Sequence, residues 1–289
     1  MFGFYIINKP PGPSSHDMVY RVRHMIQRRA KVGHTGTLDP FAGGVMIVAV
    51  GPATRLSERI HLMPKTYRAE ITLGASSTTD DTEGEITTCP DDPQPTPEAI
   101  EAAMAQFTGR IEQIPPAHSA VYIDGQRAYQ LARQGQPVEI PSRVVTIHRI
   151  EILDYDYPRL GIEVDCSTGT YIRSLARDLA AAVGTHGYCS ALTRTAVGPF
   201  AIDQGCYPDD LDIEADLVDP IRAVEDLPRI DVMEHQLKRI AGGLQFRTEK
   251  PIENDLAAAA FEGKLVALVR VQPDRTTCRP WRVFIPPPG

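Results

Sequence analysis

A glycine-rich segment that runs directly into an unbroken apolar stretch is the feature that most constrains the fold of this chain. Residues 33–44 contain four glycines, and the six residues 45–50 are all apolar. An apolar run of this length, bounded by turn residues, is typical of a strand that is covered on both faces. We therefore predict a buried strand at 45–50, preceded by a glycine-rich loop over 33–44.

The glycine-rich loop carries a single carboxylate, that of Asp39, beside a strongly basic segment. No acidic residue occurs from Met18 to Leu38. A carboxylate among cations can act as a nucleophile or base, and the same cations attract a polyanion. This pattern favours an enzyme that acts on RNA; the alternative is an ordinary Asp-Pro turn beside the solvated face of a helix. The basic residues of the segment are Arg21, Arg23, Arg28, Arg29 and Lys31.

The rest of the chain mixes helix and strand patterns, which indicates a mixed α/β or α+β core. Predicted strands cover 4–8, 66–73, 144–153, 160–166, 265–271 and 281–285. Predicted helices begin at Ser14 or Ser15 (with Arg28 and Arg29 in the last turn) and at Pro97, and cover 53–62, 127–133 and 171–183. The polar stretch 80–92 is expected to be a solvated acidic loop.

Length and charge set the domain organisation and the binding surface. A chain of 289 residues can bury one large core and carry a small appended domain. The net charge is −7, but residues 203–226 contain nine acids and one base, so the remaining chain has a net charge of +1. A basic surface for RNA is therefore possible. We expect the acidic segment 203–226 to link the main domain to a small C-terminal unit.

Several classes of protein are not expected. No apolar run reaches the roughly 18 residues needed to span a bilayer, and the N-terminus lacks the pattern of a signal peptide. The five cysteines are widely scattered, which favours reduced thiols in the cytoplasm. The chain has no phosphate-binding loop, no Gly-x-Ser-x-Gly elbow, no His-Glu-x-x-His helix and no cysteine–histidine zinc spacing. We therefore expect neither a metal nor a catalytic triad.

Two further residues are candidates for the site. Tyr67 lies on a predicted strand, where it is either a core aromatic residue or a platform on which a base stacks. Arg173 lies off the apolar face of the predicted helix 171–183. It is either solvated or paired with Asp39, in which case it would lower the pKa of that carboxyl. His34 could stack on a base or take its place in a duplex, whereas Leu192 by itself indicates only core packing.

Five motifs occur in an order that resembles the TruB family, the bacterial tRNA pseudouridine-55 synthases, over roughly residues 4–200. The resemblance implies an α+β fold with a mixed, largely antiparallel central sheet flanked by helices. It also implies a catalytic domain at 1–228 and a small β-rich, PUA-like domain at 229–289. The motifs are Lys9-Pro10-Pro11-Gly12, Gly33 to Pro40, Lys65 to Arg68, Pro115-Pro116 with Ser119-Ala120, and Cys166 to Arg173.

The resemblance also implies roles for single residues and a substrate. Asp39 matches the catalytic aspartate, Tyr67 the tyrosine that stacks on the target base, and Arg173 the arginine that pairs with the aspartate. Tyr171 and Leu192 match residues that line the uridine pocket, and His34 matches the histidine that fills the space of the flipped nucleotide. Residues 115–142 resemble a loop that clamps the RNA. The implied partner is the T arm of tRNA, bound by a monomer without a cofactor, metal or protein partner.

Two other functions remain open on the residues alone. A non-catalytic module that binds or refolds tRNA would use the same basic helix and stacking tyrosine, but it would gain nothing from a carboxylate that faces phosphates. A relative that depends on a guide RNA would need partner proteins. The compact length, the lack of basic tails and the clamp-like segment favour an enzyme that acts alone.

Overall fold

The computed structural model describes residues 1–26, 30–117, 122–123, 126–127 and 140–285. The described α-helices are α1 (Ser15–Met25), α2 (Ser57–Leu62), α3 (Pro97–Met104), α4 (Ile172–Ala182) and α5 (Glu234–Ala241). The strands are β1 (Gly3–Lys9), β2 (Val32–His34), β3 (Gly43–Val50), β4 (Lys65–Leu73), β5 (Ala75–Ser77), β6 (Ile86–Thr88), β7 (Gly109–Gln113), β8 (Tyr122–Ile123), β9 (Gln126–Arg127), β10 (Arg143–Asp156), β11 (Arg159–Cys166), β12 (Gly187–Val197), β13 (Phe200–Ala201), β14 (Arg229–Asp231), β15 (Phe246–Arg247), β16 (Leu256–Phe261), β17 (Lys264–Val271) and β18 (Thr277–Val283).

The main sheet has the strand order β1-β3-β12-β4-β11-β10-β7, with β2 attached to β3 and β13 attached to β12. Its strands pair antiparallel except β3 and β12, which run parallel over a short stretch. The α+β prediction of a mixed, largely antiparallel sheet flanked by helices is therefore confirmed.

Strand β3 is buried along its whole length, as the apolar run predicts. Alternate side chains enter two different cores, because successive residues of a strand point to opposite faces of a sheet. Met46 and Val48 pack with residues of the helices, such as Leu175 of α4. Val45 and Ile47 pack on the other face, in a cluster that includes residues of the C-terminal sheet.

The start of α1 is confirmed and its end is shorter than predicted. Ser14 is the N-cap: its side chain accepts from the Asp17 N–H, and the Asp17 side chain accepts from the Ser14 N–H. This reciprocal capping box satisfies backbone groups that have no partner inside the helix. Helix α1 ends at Met25, and the predicted positions of Arg28 and Arg29 lie outside the described residues.

The central strand β12 was not predicted, although it lies between β3 and β4. Two register shifts, between Cys189 and Ala191 and between Arg194 and Ala196, interrupt its pairing with β4. Each bulge moves the following side chains to the other face, so the strand lacks the period-two alternation by which strands are found in sequences.

Three other predictions need correction. The first two residues of the predicted loop 33–44, Gly33 and His34, lie in β2, and its last two, Gly43 and Gly44, begin β3. The helix predicted at 53–62 begins as a 3-10 helix at Gly51–Leu56 and continues as α2. In the helix predicted at 127–133, Arg127 lies in β9, and the other residues lie outside the described part of the chain.

The acidic segment 203–226 does more than link two units, because it covers the edge of the main sheet at β1. The Val218 N–H donates to the Phe4 carbonyl at 2.8 Å, and the Asn8 N–H donates to the Cys206 carbonyl at 2.8 Å. Covering the edge satisfies backbone groups of β1 that would otherwise be open to another chain.

The C-terminal strands form a separate five-stranded sheet in the order β14-β16-β17-β18-β15. Ala257, Val266 and Val269 belong to its own apolar cluster, while Leu265 and Leu268 pack in the cluster that contains Phe4 of β1. The small β-rich unit therefore packs against the main sheet.

Among the described helices, none combines the length and the apolar character needed to cross a bilayer.

Candidate active site

The Asp39 carboxylate and the Arg173 guanidinium form a direct ion pair. Arg173 lies in the first turn of α4, and Asp39 lies in the turn between β2 and β3. The Arg173 Nη2 and Asp39 Oδ2 atoms are 2.9 Å apart, and the exposed fractions of the two side chains are 4% and 37%. The pairing expected from the sequence is present. The carboxylate reaches the surface, and the guanidinium behind it is enclosed by protein.

A second carboxylate, that of Asp81, holds Arg173 from the other side. The Arg173 Nη1 atom lies 2.9 Å from Asp81 Oδ2 and donates to the Thr79 carbonyl at 3.1 Å. Asp81 is only 1% exposed and also accepts from the Glu83 N–H at 2.9 Å. The planar fork of an arginine suits such two-sided pairing. The prediction that 80–92 is simply a solvated loop is wrong at its first residues, because Asp81 is buried against α4.

The pKa of Asp39 differs in direction from the sequence-based expectation. Burial raises the pKa of this carboxyl, and the nearby Asp81 carboxylate raises it further. The guanidinium of Arg173 and the ammonium of Lys9 lower the pKa, but only in part. Loss of hydration disfavours the charged form of a carboxyl. The expected lowering by Arg173 is therefore present but outweighed.

Two buried cations fix the backbone on both sides of Asp39. The Lys9 ammonium is 0% exposed and donates to the carbonyls of Pro40 at 3.2 Å and Ala42 at 2.7 Å. The Arg194 guanidinium, in a residue 3% exposed, donates to the carbonyls of Thr37 at 3.3 Å and Val45 at 2.8 Å. Charge-assisted hydrogen bonds of this kind hold a loop firmly. Sequence reasoning missed Arg194, because nothing in its local sequence indicates which loop it contacts.

Gly44 lets the parallel strands β3 and β12 approach each other. Its φ is +96°, and a Cβ at this position would lie 2.2 Å from the Arg194 carbonyl oxygen.

We expect Gly44→Ala to lower the free energy of unfolding by at least about 1–3 kcal/mol from backbone strain alone, measured by urea denaturation. Gly33→Ala is the matched control, because a Cβ at Gly33 meets nothing within 4 Å. Equal stability of the two variants would contradict this interpretation.

Tyr67 and Leu192 lie on adjacent strands next to the Asp39 turn. Tyr67 of β4 is opposite Arg194 of β12, and Leu192 is opposite Ala69, so Tyr67 and Leu192 are diagonal neighbours on one face. Burial raises the pKa of Tyr67, the positive charge of Arg194 opposes this rise, and the negative charge of Asp39 adds to it. The phenol is therefore neutral at physiological pH. Leu192 is 8% exposed.

Tyr171 immediately precedes α4 and is fixed by two groups. Its N–H donates to Gln113 Oε1 at 2.7 Å, and its carbonyl accepts from Gln113 Nε2 at 2.9 Å. The Arg143 guanidinium carbon lies 4.3 Å from the centre of the Tyr171 ring, a cation–π contact. Arg143 begins β10, directly after the predicted clamp segment 115–142, most of which lies outside the described residues. Gln113 and Arg143 were not predicted as site residues.

His34 ends β2, where it is opposite Val48 of β3, so it does not project from a free loop as expected. Burial lowers the pKa of its imidazole, and the positive charge of Arg194 lowers it further. The ring is therefore neutral at physiological pH. Within the described part of the chain, its buried Nδ1 atom has no hydrogen-bond partner.

Comparison with known proteins assigns the chain to a family. The family model "TruB family pseudouridylate synthase (N terminal domain)" matches residues 23–172. The chain belongs to the TruB family. One relative of this TruB protein, the tRNA pseudouridine synthase B of Arthrobacter sp. (strain FB24), is 42% identical in an alignment of 282 residues that covers 92% of each chain. Another, from Dehalococcoides mccartyi, is 39% identical in an alignment 295 positions long, gaps included, that covers 99% of this chain and 98% of the relative.

Solved structures extend the similarity to almost the whole TruB chain. A chain in the crystal structure of a Cbf5-Nop10-Gar1 complex matches with a TM-score of 0.73 and 26% identity, covering 99% of this chain and 85% of that chain. A chain in an H/ACA RNP bound to a substrate RNA containing 2′-deoxyuridine has the same TM-score at 24% identity, covering 99% and 86%, and indicates the fold alone. The TruB protein is thus a pseudouridine synthase with the fold expected for that class.

Proposed function

We propose that this enzyme converts one uridine of the T arm of tRNA, at position 55, to pseudouridine, with Asp39 as the catalytic residue. The names of the relatives support tRNA as the substrate. The observation that carries the chemistry is the partly exposed Asp39 carboxylate, held 2.9 Å from a buried guanidinium. Such a carboxylate can face an RNA nucleotide without being displaced by the phosphates around it.

The reaction is an isomerisation and needs no net oxidation or hydrolysis. The C1′–N1 bond of the uridine breaks, the base turns, and C1′ bonds to C5; N1 gains a proton and C5 loses one. The nucleotide must first leave the RNA stack, at a cost of a few kcal/mol. Stacking on the Tyr67 ring would return about 1–3 kcal/mol of that cost. We propose that Tyr171 and Leu192 complete the pocket and that His34 fills the space left in the RNA.

Two routes are open to the Asp39 carboxylate. It attacks C1′, as the carboxylates of retaining glycosidases do, or it assists the removal of a ribose proton to give a glycal-like intermediate. Both routes require the ionised form, because only the carboxylate can serve as a nucleophile or a base. Arg173 then steadies the carboxylate in one orientation through a contact that does not depend on the substrate.

The raised pKa of Asp39 predicts the pH dependence of the enzyme. Since the carboxylate is the active form, the single-turnover rate should fall as the pH falls through the pKa of Asp39. This acidic limb should lie above the ordinary aspartate value of about 3.9. Asp81→Asn removes a negative charge that raises this pKa, so its acidic limb should lie at lower pH. An unchanged limb in this variant would contradict the electrostatic account.

Substitutions of Tyr67 separate stacking from hydroxyl chemistry. Tyr67→Phe keeps the aromatic face and should keep most of the rate, whereas Tyr67→Leu removes the stacking surface and should lose about 1–3 kcal/mol of substrate stabilisation. The measurement is the single-turnover rate with saturating tRNA. Equal losses in the two variants would mean that the hydroxyl has a chemical role of its own.

We further propose that the enzyme acts alone, with a catalytic domain at 1–228 and a PUA-like domain at 229–289. The purified protein should release one tritium per molecule from a tRNA transcript labelled at C5 of its uridines. A transcript with cytidine in place of uridine 55 is the matched control and should release none. Release from the control would place the target elsewhere, and no release from either transcript would favour a binding module or an enzyme that needs partners.

A further inference from the structure

A group of three side chains of metal-binding type lies outside the site described above. Cys89, Asp92 and His186 contribute a thiol, a carboxylate and an imidazole, and their ligand atoms all lie within 4.8 Å of one another. Cys89 and Asp92 follow β6, and His186 lies in the connection between α4 and β12. The proposed reaction at Asp39 uses none of them.

Backbone hydrogen bonds bring the three residues together independently of their side chains. The Asp92 N–H donates to the Cys89 carbonyl at 3.1 Å, which closes a turn and sets the two side chains beside each other. The Cys89 N–H donates to the Gly74 carbonyl at 2.8 Å, and the Gly74 N–H donates to the His186 carbonyl at 2.9 Å. Gly74 therefore joins both segments, and the backbone alone places the three residues beside one another.

The Asp92 carboxylate is also oriented by its neighbours. Its Oδ2 atom accepts from the His186 N–H at 2.6 Å and from the Thr185 hydroxyl at 3.0 Å, and it lies 2.8 Å from His186 Nδ1. Thr185 is 5% exposed, so this support is rigid. Polar groups that orient a ligating carboxylate are characteristic of metal sites.

We propose that Cys89, Asp92 and His186 bind one Zn²⁺ ion, which would join the turn after β6 to the connection that follows α4. Thiolate, imidazole and carboxylate are the ligands of zinc in proteins, and water would complete the tetrahedral set. A thiolate excludes Mg²⁺ and Ca²⁺, which take oxygen ligands. Binding releases the thiol proton of Cys89 and requires His186 Nδ1 to be unprotonated. The hydrogen bond between Nδ1 and Oδ2 is then replaced by bonds to the metal.

This cluster could not be recognised in the sequence, because its two halves are far apart in the chain. His186 and Asp92 are separated by 94 positions, and Cys-x-x-Asp is not a recognised zinc spacing. The bound ion would stabilise the C-terminal end of α4, the helix that carries Arg173 in its first turn. The ion would join two segments of the chain, and this site is separate from the reaction proposed at Asp39.

Cobalt substitution tests the site directly. The purified protein is stripped with a chelator, titrated with Co²⁺, and followed by absorption spectroscopy. The wild type should bind one Co²⁺ per chain and develop a thiolate-to-cobalt charge-transfer band in the near ultraviolet. Cys89→Ser should lose that band, and His186→Gln should bind at least about tenfold more weakly. Cys206→Ser is the matched control, because Cys206 is another partly buried free thiol, and it should retain the band.

Thermal melting is a second test that does not use cobalt absorption. Comparison of the metal-free proteins also shows whether a substitution has disturbed folding by itself. A ligand that binds only the folded state raises the melting temperature. Stoichiometric Zn²⁺ should therefore raise it in the wild type and in Cys206→Ser, but not in Cys89→Ser, and the metal-free proteins should melt alike. Absence of a charge-transfer band in the wild type, or its persistence in Cys89→Ser, would overturn the proposal.

Discussion

Replacement of Asp39 by asparagine is expected to abolish pseudouridine formation while leaving tRNA binding largely intact. The amide has nearly the shape of the carboxylate, but it cannot act as a nucleophile or a base. Positioned proton transfer alone contributes about 10²–10⁴ in rate, so the single-turnover rate should fall more than about 100-fold. Since phosphate contacts from basic side chains supply much of the affinity for RNA, the dissociation constant for tRNA should change little.

The matched control for this substitution is Asp255→Asn. Asp255 precedes β16, and its carboxylate is 91% exposed beside Arg275. Loss of this surface charge should leave both rate and affinity close to wild type, because exposed ion pairs contribute little. Residual activity of the Asp39→Asn variant above about one hundredth of wild type, given the contribution expected from a catalytic carboxylate, would remove Asp39 from the catalytic role.

Arg173→Met is expected to damage stability and catalysis together. The substitution keeps apolar volume but removes the cation that lies 2.9 Å from both Asp39 and Asp81. Asp81 is 1% exposed, so its charge would remain buried and poorly compensated. Breaking a buried pair in this way costs about 3–5 kcal/mol. Urea denaturation should show this loss, and the single-turnover rate should fall at all pH values.

The double variant Arg173→Met/Asp81→Asn separates the two effects. Neutralising Asp81 removes the buried charge that Arg173 compensates, so part of the lost free energy of unfolding should return. The catalytic rate should not return, because Asp39 would still lack its guanidinium partner. Non-additive stability of the two substitutions is the signature of a direct contact. Strictly additive losses would mean that Arg173 and Asp81 do not act as a pair.

The strands and the α4 helix could be predicted where burial follows a regular period. The run 45–50 is apolar throughout because both faces of β3 are covered. Helix α4 places Ile172, Leu175 and Leu179 in the same core, which is the spacing that predicted it. Strand β12 escaped prediction because bulges break its alternation. Five strands of the main sheet were therefore predicted, namely β1, β3, β4, β10 and β11, whereas β12, the edge strand β7 and the short strands β2 and β13 were not.

The ion pair at the candidate site was predictable, but the network that supports it was not. Asp39 and Arg173 carry recognisable local motifs, and their pairing is confirmed at 2.9 Å. Asp81 and Arg194 reach the site through contacts between distant segments, and neither has a distinctive local sequence. The direction of the Asp39 pKa was missed for the same reason, since it depends on burial and on Asp81. Local sequence indicates which groups are candidates for the reaction, whereas the environment of those groups is set by tertiary structure.

A crystal structure of the Asp39→Asn variant bound to an unmodified T arm would test the central claim most directly. The variant should hold its substrate without converting it. The account predicts an extruded uridine stacked on the Tyr67 ring, with C1′ or the neighbouring ribose carbon that would lose its proton about 3–3.5 Å from the side chain at position 39, as expected of a near-attack geometry. A uridine that remains stacked within the RNA, or one bound with its ribose out of reach of position 39, would contradict it.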